Sequence, residues 1–111
     1  MPNYFFEKCD KNALKGIEKL AIELGLKEQE DDKFTRQWEG EEVFKREENY
    51  DRILSMTYSL TMVHPLLVQT SPNVTHRQQD VKLLIKRVMK ICGVKRIYFD
   101  ETETYDIQEF L

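Results

Sequence analysis

The strongest pattern in the chain is the alternation of apolar and hydroxyl-bearing residues between Ile53 and Val63. Apolar side chains stand at every second position, and serine or threonine fills the positions between them. A period of two places alternate side chains on opposite faces of a β-strand, whereas a helix would scatter the same apolar groups around its circumference. The pattern predicts a strand over 53–63 with one buried face. The other face carries neutral hydroxyl groups and is either covered or available to a partner.

A first helix is predicted by apolar residues at helical spacing from Leu14 to Leu24. Asp10 or Asn12 supplies the cap at its start, and Gly25 follows its last apolar residue, where a glycine commonly ends a helix in the left-handed conformation. Gly16 lies inside this segment. Either a neighbour packs closely against it, or the helix starts later.

A second helix is predicted by the apolar stripe that ends at Cys92, with Gly93 closing it. Two starts compete. Thr75 followed by Gln78 has the form of a capping box, and Ser71 before Pro72 would place proline at the first helical position.

Shorter strands are predicted over 4–6, 34–39 and 94–99, with a return strand at Val43 and Phe44. We interpret 27–32 as a charged loop and 66–74 as a partly apolar loop. The element order is then β-α-β-β-α-β, with one extra hairpin strand allowed, which is the ferredoxin-like pattern. This predicts a single α+β domain over 1–111, in which two helices cover one face of a four- or five-stranded antiparallel sheet and 100–111 is an acidic tail. An α-β-β-β-α-β sandwich is the main competitor.

Composition describes one folded domain with a well-solvated surface. Of the 111 residues, 33% are charged and 11% are aromatic. The aromatic share is too high for a disordered chain. No apolar run approaches the roughly 20 residues needed to cross a bilayer. The first residues lack the basic and apolar regions of a secretory signal, so we expect the protein in the cytoplasm, with Cys9 and Cys92 as buried free thiols.

Signatures of catalysis are missing from the sequence. There is no glycine-rich phosphate loop and no nucleophile elbow, and the carboxylates are typical of solvated loops. A zinc site can be drawn from His64, His76, Cys9 and Cys92, but it lacks the short-range ligand pair that structural zinc sites have. We therefore expect a non-enzymatic protein without a catalytic residue, metal or cofactor.

Aromatic residues in charged surroundings indicate contacts with another protein. Exposed aromatic anchors carry much of the binding energy of interfaces, and nearby acids steer basic partners. We predict a partner-binding set of Trp38, Glu39, Glu41, Glu42, Phe44 and Tyr50. The hypothesis is an inhibitor or regulatory accessory factor, of the immunity-protein or virus-encoded kind, that acts by steric and electrostatic occlusion. The strand at 53–63 could also pair with a second copy of the chain.

Nucleic-acid binding is the alternative, because the chain is basic between 73 and 96 but acidic on either side of that segment. The predicted basic surface consists of Lys82, Lys86, Arg87, Lys90 and Arg96. RNA-recognition domains share the split β-α-β-β-α-β pattern and stack bases on aromatics of their middle strands. Here the first strand offers Tyr4, Phe5 and Phe6, but the strand at 53–63 offers only Tyr58, and the characteristic motif of those domains is absent.

Overall fold

The computed structural model describes residues 2–29, 34–41, 54–72, 74–100 and 104–106, which form two helices and seven strands. The elements, in chain order, are β1 (Asn3–Phe6), α1 (Lys11–Glu23), β2 (Lys27–Gln29), β3 (Thr35–Gly40), β4 (Leu54–Ser59), β5 (Leu66–Thr70), α2 (Gln79–Cys92), β6 (Tyr98–Asp100) and β7 (Thr104–Asp106).

One antiparallel sheet contains all of these strands, in the order β2-β3-β4-β5-β1-β6-β7. The strands β2 to β5 follow one another as a meander. The first strand, β1, does not lie beside the second. It is inserted between β5 and β6, so that Asn3 is paired with both Gln69 and Asp100. The two helices therefore serve as the long connections that this order requires.

The predicted fold class, an α+β domain with two helices and an antiparallel sheet, is confirmed. The predicted number of strands is wrong, because the described residues form seven rather than four or five. The ferredoxin-like order is not confirmed, since four strands instead of two lie between the helices. The strand β2 occupies a predicted charged loop, and β5 occupies the predicted loop over 66–74. The return strand at Val43 and Phe44 lies outside the described residues, and β7 lies within the predicted tail.

Alternation along the strands gives the sheet two different faces. Tyr4 and Phe6 of β1 are buried, as are Val68 opposite Tyr4 and Met56 opposite Val68, and they form one core cluster with the apolar stripes of both helices. The opposite side, which we call the open face, carries the intervening residues and is mostly polar along β3 and β4. The hydrophobic effect thus holds the helices on one side of the sheet.

The boundaries of α1 are those that the sequence predicts. Asp10 accepts a hydrogen bond from the Ala13 backbone N–H at 2.8 Å and caps the helix, and Gly25 follows its end with φ +74°. A β-carbon at Gly16 would come within 2.7 Å of the Cγ2 atom of Ile91 on α2. Gly16 therefore allows the two helices to approach each other, which confirms the first of the two explanations for a glycine at this position.

Both predicted starts of α2 are wrong, because the helix begins only at Gln79. The segment before the helix is hydrogen-bonded to β1 of the sheet instead. The His76 backbone N–H donates a hydrogen bond of 2.9 Å to the buried Tyr4 hydroxyl. The Gln78 N–H donates to the Thr75 carbonyl at 3.0 Å and forms a turn. The helix then ends as predicted, with Gly93 in the left-handed conformation. Neither described helix is long and apolar enough to cross a membrane.

Candidate interaction surfaces

Trp38 lies in the core rather than at the surface. Its side chain is 3% exposed, and the Arg36 guanidinium carbon lies 4.8 Å from the centre of its ring. Arg36 also forms ion pairs with Glu18 of α1 at 3.0 Å and with Glu28 of β2 at 2.7 Å. The hydrogen bond from Arg36 lowers the pKa of the Glu28 carboxyl. Trp38 is thus enclosed and has no surface to offer a partner, which corrects its prediction as an exposed anchor.

The acidic members of the predicted set lie at the far end of β3. Glu39 is half-buried and Glu41 is exposed. Glu39 is the cross-strand neighbour of Lys27 on β2, so a positive charge accompanies it on the open face. Glu42, Phe44 and Tyr50 lie outside the described residues.

The two serine hydroxyl groups of β4 are hydrogen-bonded within the protein. Ser55 and Ser59 are both buried. Gln37 donates a hydrogen bond to the Ser55 hydroxyl at 3.2 Å, and Thr35 donates one to the Ser59 hydroxyl at 3.4 Å. Moreover, β4 is an inner strand with β3 on one side and β5 on the other. Backbone pairing of β4 with a second copy would need a free strand edge, which β4 lacks, whereas association of two copies through the hydroxyl face of 53–63 stays a prediction.

The structure divides the predicted basic surface into two parts. Lys86, Arg87 and Lys90 are exposed on α2 and Lys82 is half-buried, with Arg87 in an ion pair with Glu23 of α1. Arg96 lies apart from this group, beyond the end of α2. Its guanidinium carbon is 5.9 Å from the centre of the Tyr98 ring, and Tyr98 belongs to the open face rather than to the helical side.

Apolar side chains are exposed at the end of the sheet where β4 turns into β5. The exposed fractions are 48% for Phe34, 66% for Leu60 and 92% for Val63. The Leu60 backbone N–H donates a hydrogen bond to the Phe34 carbonyl at 3.2 Å, which holds the start of β3 against this turn. We call these three residues the apolar tip. The alternation of the sequence assigned Leu60 to a buried strand face, but the strand ends at Ser59.

Three rings form a second group on the open face, which we call the stacking cluster. Phe5 and Tyr98 are cross-strand neighbours, and His64 joins them from the turn between β4 and β5. The His64 ring lies 5.1 Å from that of Tyr98 at an interplanar angle of 26°, and 5.8 Å from that of Phe5. The alternation of β1 is the one sequence signal for this cluster, since it separates Phe5 from Tyr4 and Phe6.

The two cysteines lie together in the core, and both are free thiols, as predicted. The hydrogen bond donated by the Cys92 thiol to Cys9 lowers the pKa of Cys9, and the same contact raises the pKa of Cys92. His64 lies on the open face, whereas His76 contacts the buried Tyr4 hydroxyl. Within the described ranges, no three histidine, cysteine or acidic side chains form a group that could hold a metal ion.

Comparison with known proteins gives no match to a family model, to a curated protein or to a solved structure.

Proposed function

We propose that this chain is a non-enzymatic protein-binding module, an inhibitor or regulatory accessory factor that occludes part of its partner. The observation that supports this proposal best is the apolar tip. Of the five large apolar side chains that are exposed in the described part of the chain, three belong to it. Apolar groups concentrated at one place on a surface are typical of protein interaction sites, whereas scattered ones need no explanation.

The geometry of the tip also suits an interface. The turn between β4 and β5 is closed by the hydrogen bond from the Ser59 N–H to the Pro65 carbonyl, and the bond from the Leu60 N–H to the Phe34 carbonyl ties it to the start of β3. A rigid contact residue loses less conformational entropy on binding than a mobile one. Glu39 and Glu41 lie at the opposite end of β3, so in this proposal they steer a partner rather than contact it beside the tip.

The test is a double substitution, Leu60→Asp with Val63→Asp, in an affinity-tagged protein used to capture partners from a nuclease-treated lysate of the source cells. We expect a stoichiometric partner with the unmodified protein and at least a tenfold weaker capture with the variant, because two apolar contacts are replaced by charges that must be desolvated.

The matched control is Ile22→Asp on α1, whose side chain is 71% exposed and lies outside the tip. This variant should capture the partner normally. Undiminished capture by the double variant would remove the tip from the interface. The absence of any stoichiometric protein under all conditions would contradict the proposed function itself.

We also propose that the sheet is an elaborated ferredoxin-like arrangement. In support, β4, β5, β1 and β6 lie side by side, with one helix between β1 and the meander and the other between β5 and β6. In this interpretation, β2 and β3 extend one edge of the sheet and β7 extends the other.

A further inference from the structure

The stacking cluster is the feature that protein binding through the apolar tip leaves unexplained. Its rings lie on the side of the sheet opposite the helices, and all three are half-buried. Their immediate neighbours in the sequence, Tyr4, Phe6 and Phe99, fill the core. The fold therefore has no packing need for aromatic side chains at the outward positions, where it exposes polarisable ring surface to water.

The described residues around the cluster include charges of both signs. Arg96 lies over the Tyr98 ring at 5.9 Å and is exposed, and the adjacent Lys95 is exposed too. Lys8, also exposed, follows the end of β1 close to Phe5 in sequence. Three acids lie nearby: Glu7, which is exposed, Asp106, the cross-strand neighbour of Tyr98 on β7, and Asp100, two residues beyond Tyr98 toward the other end of the strand. At the end of the sheet that carries the rings, three basic residues thus accompany two acidic ones.

His64 contributes an unsatisfied polar atom to the same place. Its Nδ1 atom is buried and has no hydrogen-bond partner among the described residues. Buried polar atoms without a partner are uncommon and unfavourable in folded proteins. A ligand that brings a polar group to this ring, or that draws the ring outward onto itself, would remove the penalty.

We propose that Phe5, His64, Tyr98 and Arg96 form a stacking site for the bases of single-stranded nucleic acid. Unpaired bases stack on aromatic rings and on the plane of a guanidinium group. Lys8, Lys95 and Arg96 complement the phosphates that accompany the bases. In a duplex the bases are already stacked on one another and are not free to stack on these rings. The geometry therefore favours a single strand.

This site is distinct from the basic surface of α2, which has no ring among its predicted members and lies on the helical side of the sheet. It also goes beyond the proposed protein-binding function, because both its residues and its ligand differ from those of the apolar tip.

The experiment measures the fluorescence anisotropy of labelled 12-nucleotide oligo-dT and oligo-U, and of a duplex of equal length, at two salt concentrations. We expect the single strands to bind more tightly than the duplex. About three phosphate contacts to a single strand give a log–log salt slope near −2, so affinity should fall about fifteenfold between 50 and 200 mM salt.

Two substitutions test the site itself. Tyr98→Leu removes a stacking surface and should weaken single-strand binding about tenfold or more. Arg96→Gln changes only an exposed side chain, so it remains informative if Tyr98→Leu lowers the melting temperature. It should weaken binding at least threefold and flatten the salt slope. The matched control is Lys90→Gln on α2, which removes the same charge from an exposed position and should change the affinity less than twofold.

Three outcomes would overturn the proposal. The first is the absence of single-strand binding at 50 mM salt. The second is binding that Lys90→Gln abolishes and Tyr98→Leu leaves intact, which would move nucleic acid to α2. The third is preference for a labelled proline-rich peptide over the oligonucleotides, which would make the rings a peptide site. None of these results depends on the capture experiment with the apolar tip, so the two proposals can fail separately.

Discussion

At the scale of single residues, Arg36 connects three parts of the helical side. It pairs with Glu18 of α1 and with Glu28 of β2, and its guanidinium group covers the Trp38 ring. The pKa of Arg36 is raised, chiefly by its hydrogen bond to Glu28. Because Arg36 closes the outer side of Trp38, an aromatic residue amid charges in the sequence is buried in the fold. The residues next to Trp38 in the sequence do not show which side chains pack on its ring in the fold.

Glu28 provides a pH-dependent test of this network. Its folded pKa lies below the usual value of about 4.3. A carboxyl with a depressed folded pKa stabilises the fold above its unfolded pKa, and the contribution is lost as the pH falls through the folded pKa. We therefore expect Glu28→Gln to lower the free energy of unfolding at pH 7 by less than about 1 kcal/mol, since both partners are solvent-accessible. The difference from the unmodified protein should shrink as the pH falls below about 4.3 and through the lowered folded pKa.

Denaturant unfolding at pH 7 and pH 3.5 measures this difference. Glu7→Gln is the control, because it removes the same charge from an exposed position without an ion-pair partner among the described residues. It should leave the unfolding free energy unchanged at both values. A Glu28→Gln effect of equal size at both would show that the ion pair with Arg36 is not its source.

At the scale of elements, the contact between α1 and α2 depends on Gly16. Alanine is favoured over glycine in a helix by about 1 kcal/mol. However, the added carbon would meet the Cγ2 atom of Ile91 at 2.7 Å, and such overpacking typically destabilises by about 1–3 kcal/mol. We expect Gly16→Ala to destabilise the protein despite its better helix propensity.

A double-mutant cycle with Ile91→Ala separates the two effects, because it removes the atom that the new methyl group would meet. In the Ile91→Ala background, Gly16→Ala should be neutral or stabilising by up to about 1 kcal/mol, as judged by the midpoint and slope of chemical denaturation. Stabilisation of equal size in both backgrounds would contradict the close approach of the helices.

The sequence predicts some elements well and others poorly, for identifiable reasons. Both helices are strongly periodic, and their ends follow from Asp10, Gly25 and Gly93. The strand predicted over 53–63 is too long, because alternation continues past Ser59 although the chain turns there. The Ser59 N–H donates to the Pro65 carbonyl and closes that turn. The strand β5 was predicted as a loop, because five residues after a proline give only a weak signal.

The candidate surfaces, too, could be predicted from the sequence only in part. The outward position of Phe5 can be deduced from alternation along β1. Its neighbours in the stacking cluster come from a turn at His64 and a strand at Tyr98, and only the strand order brings these together. The same order places Arg96 beside Tyr98 and apart from the basic residues of α2. Local periodicity carries no information about which strands become neighbours.

At the scale of the whole molecule, Trp38 provides a single optical reporter, since it is the one tryptophan in the chain. It lies within the core cluster that joins the sheet to both helices. We therefore expect unfolding followed by tryptophan fluorescence to coincide with unfolding followed by far-ultraviolet circular dichroism, as one cooperative transition. Trp38→Ala should lower the free energy of unfolding by about 3–5 kcal/mol.

Phe34→Ala is a suitable control for that substitution, because it removes an aromatic side chain that is 48% exposed in the same region of the sheet. Its destabilisation should be much smaller. If Trp38→Ala left the melting temperature unchanged and abolished partner capture, Trp38 would be a contact residue, as the sequence first indicated, and its burial here would be contradicted.

The insertion of β1 between β5 and β6 delays the pairing of β1 during synthesis of the chain. Residues 3–6 leave the ribosome well before their two neighbours, residues 66–69 and 98–100. This inner strand of the sheet therefore has both edges unpaired until residues 66–69 and 98–100 have been synthesised. Pairing across such sequence distances makes folding slow compared with helical domains. During this delay Tyr4 and Phe6 are not yet buried in the core. Correct folding therefore requires that these two residues be protected from aggregation until the core forms.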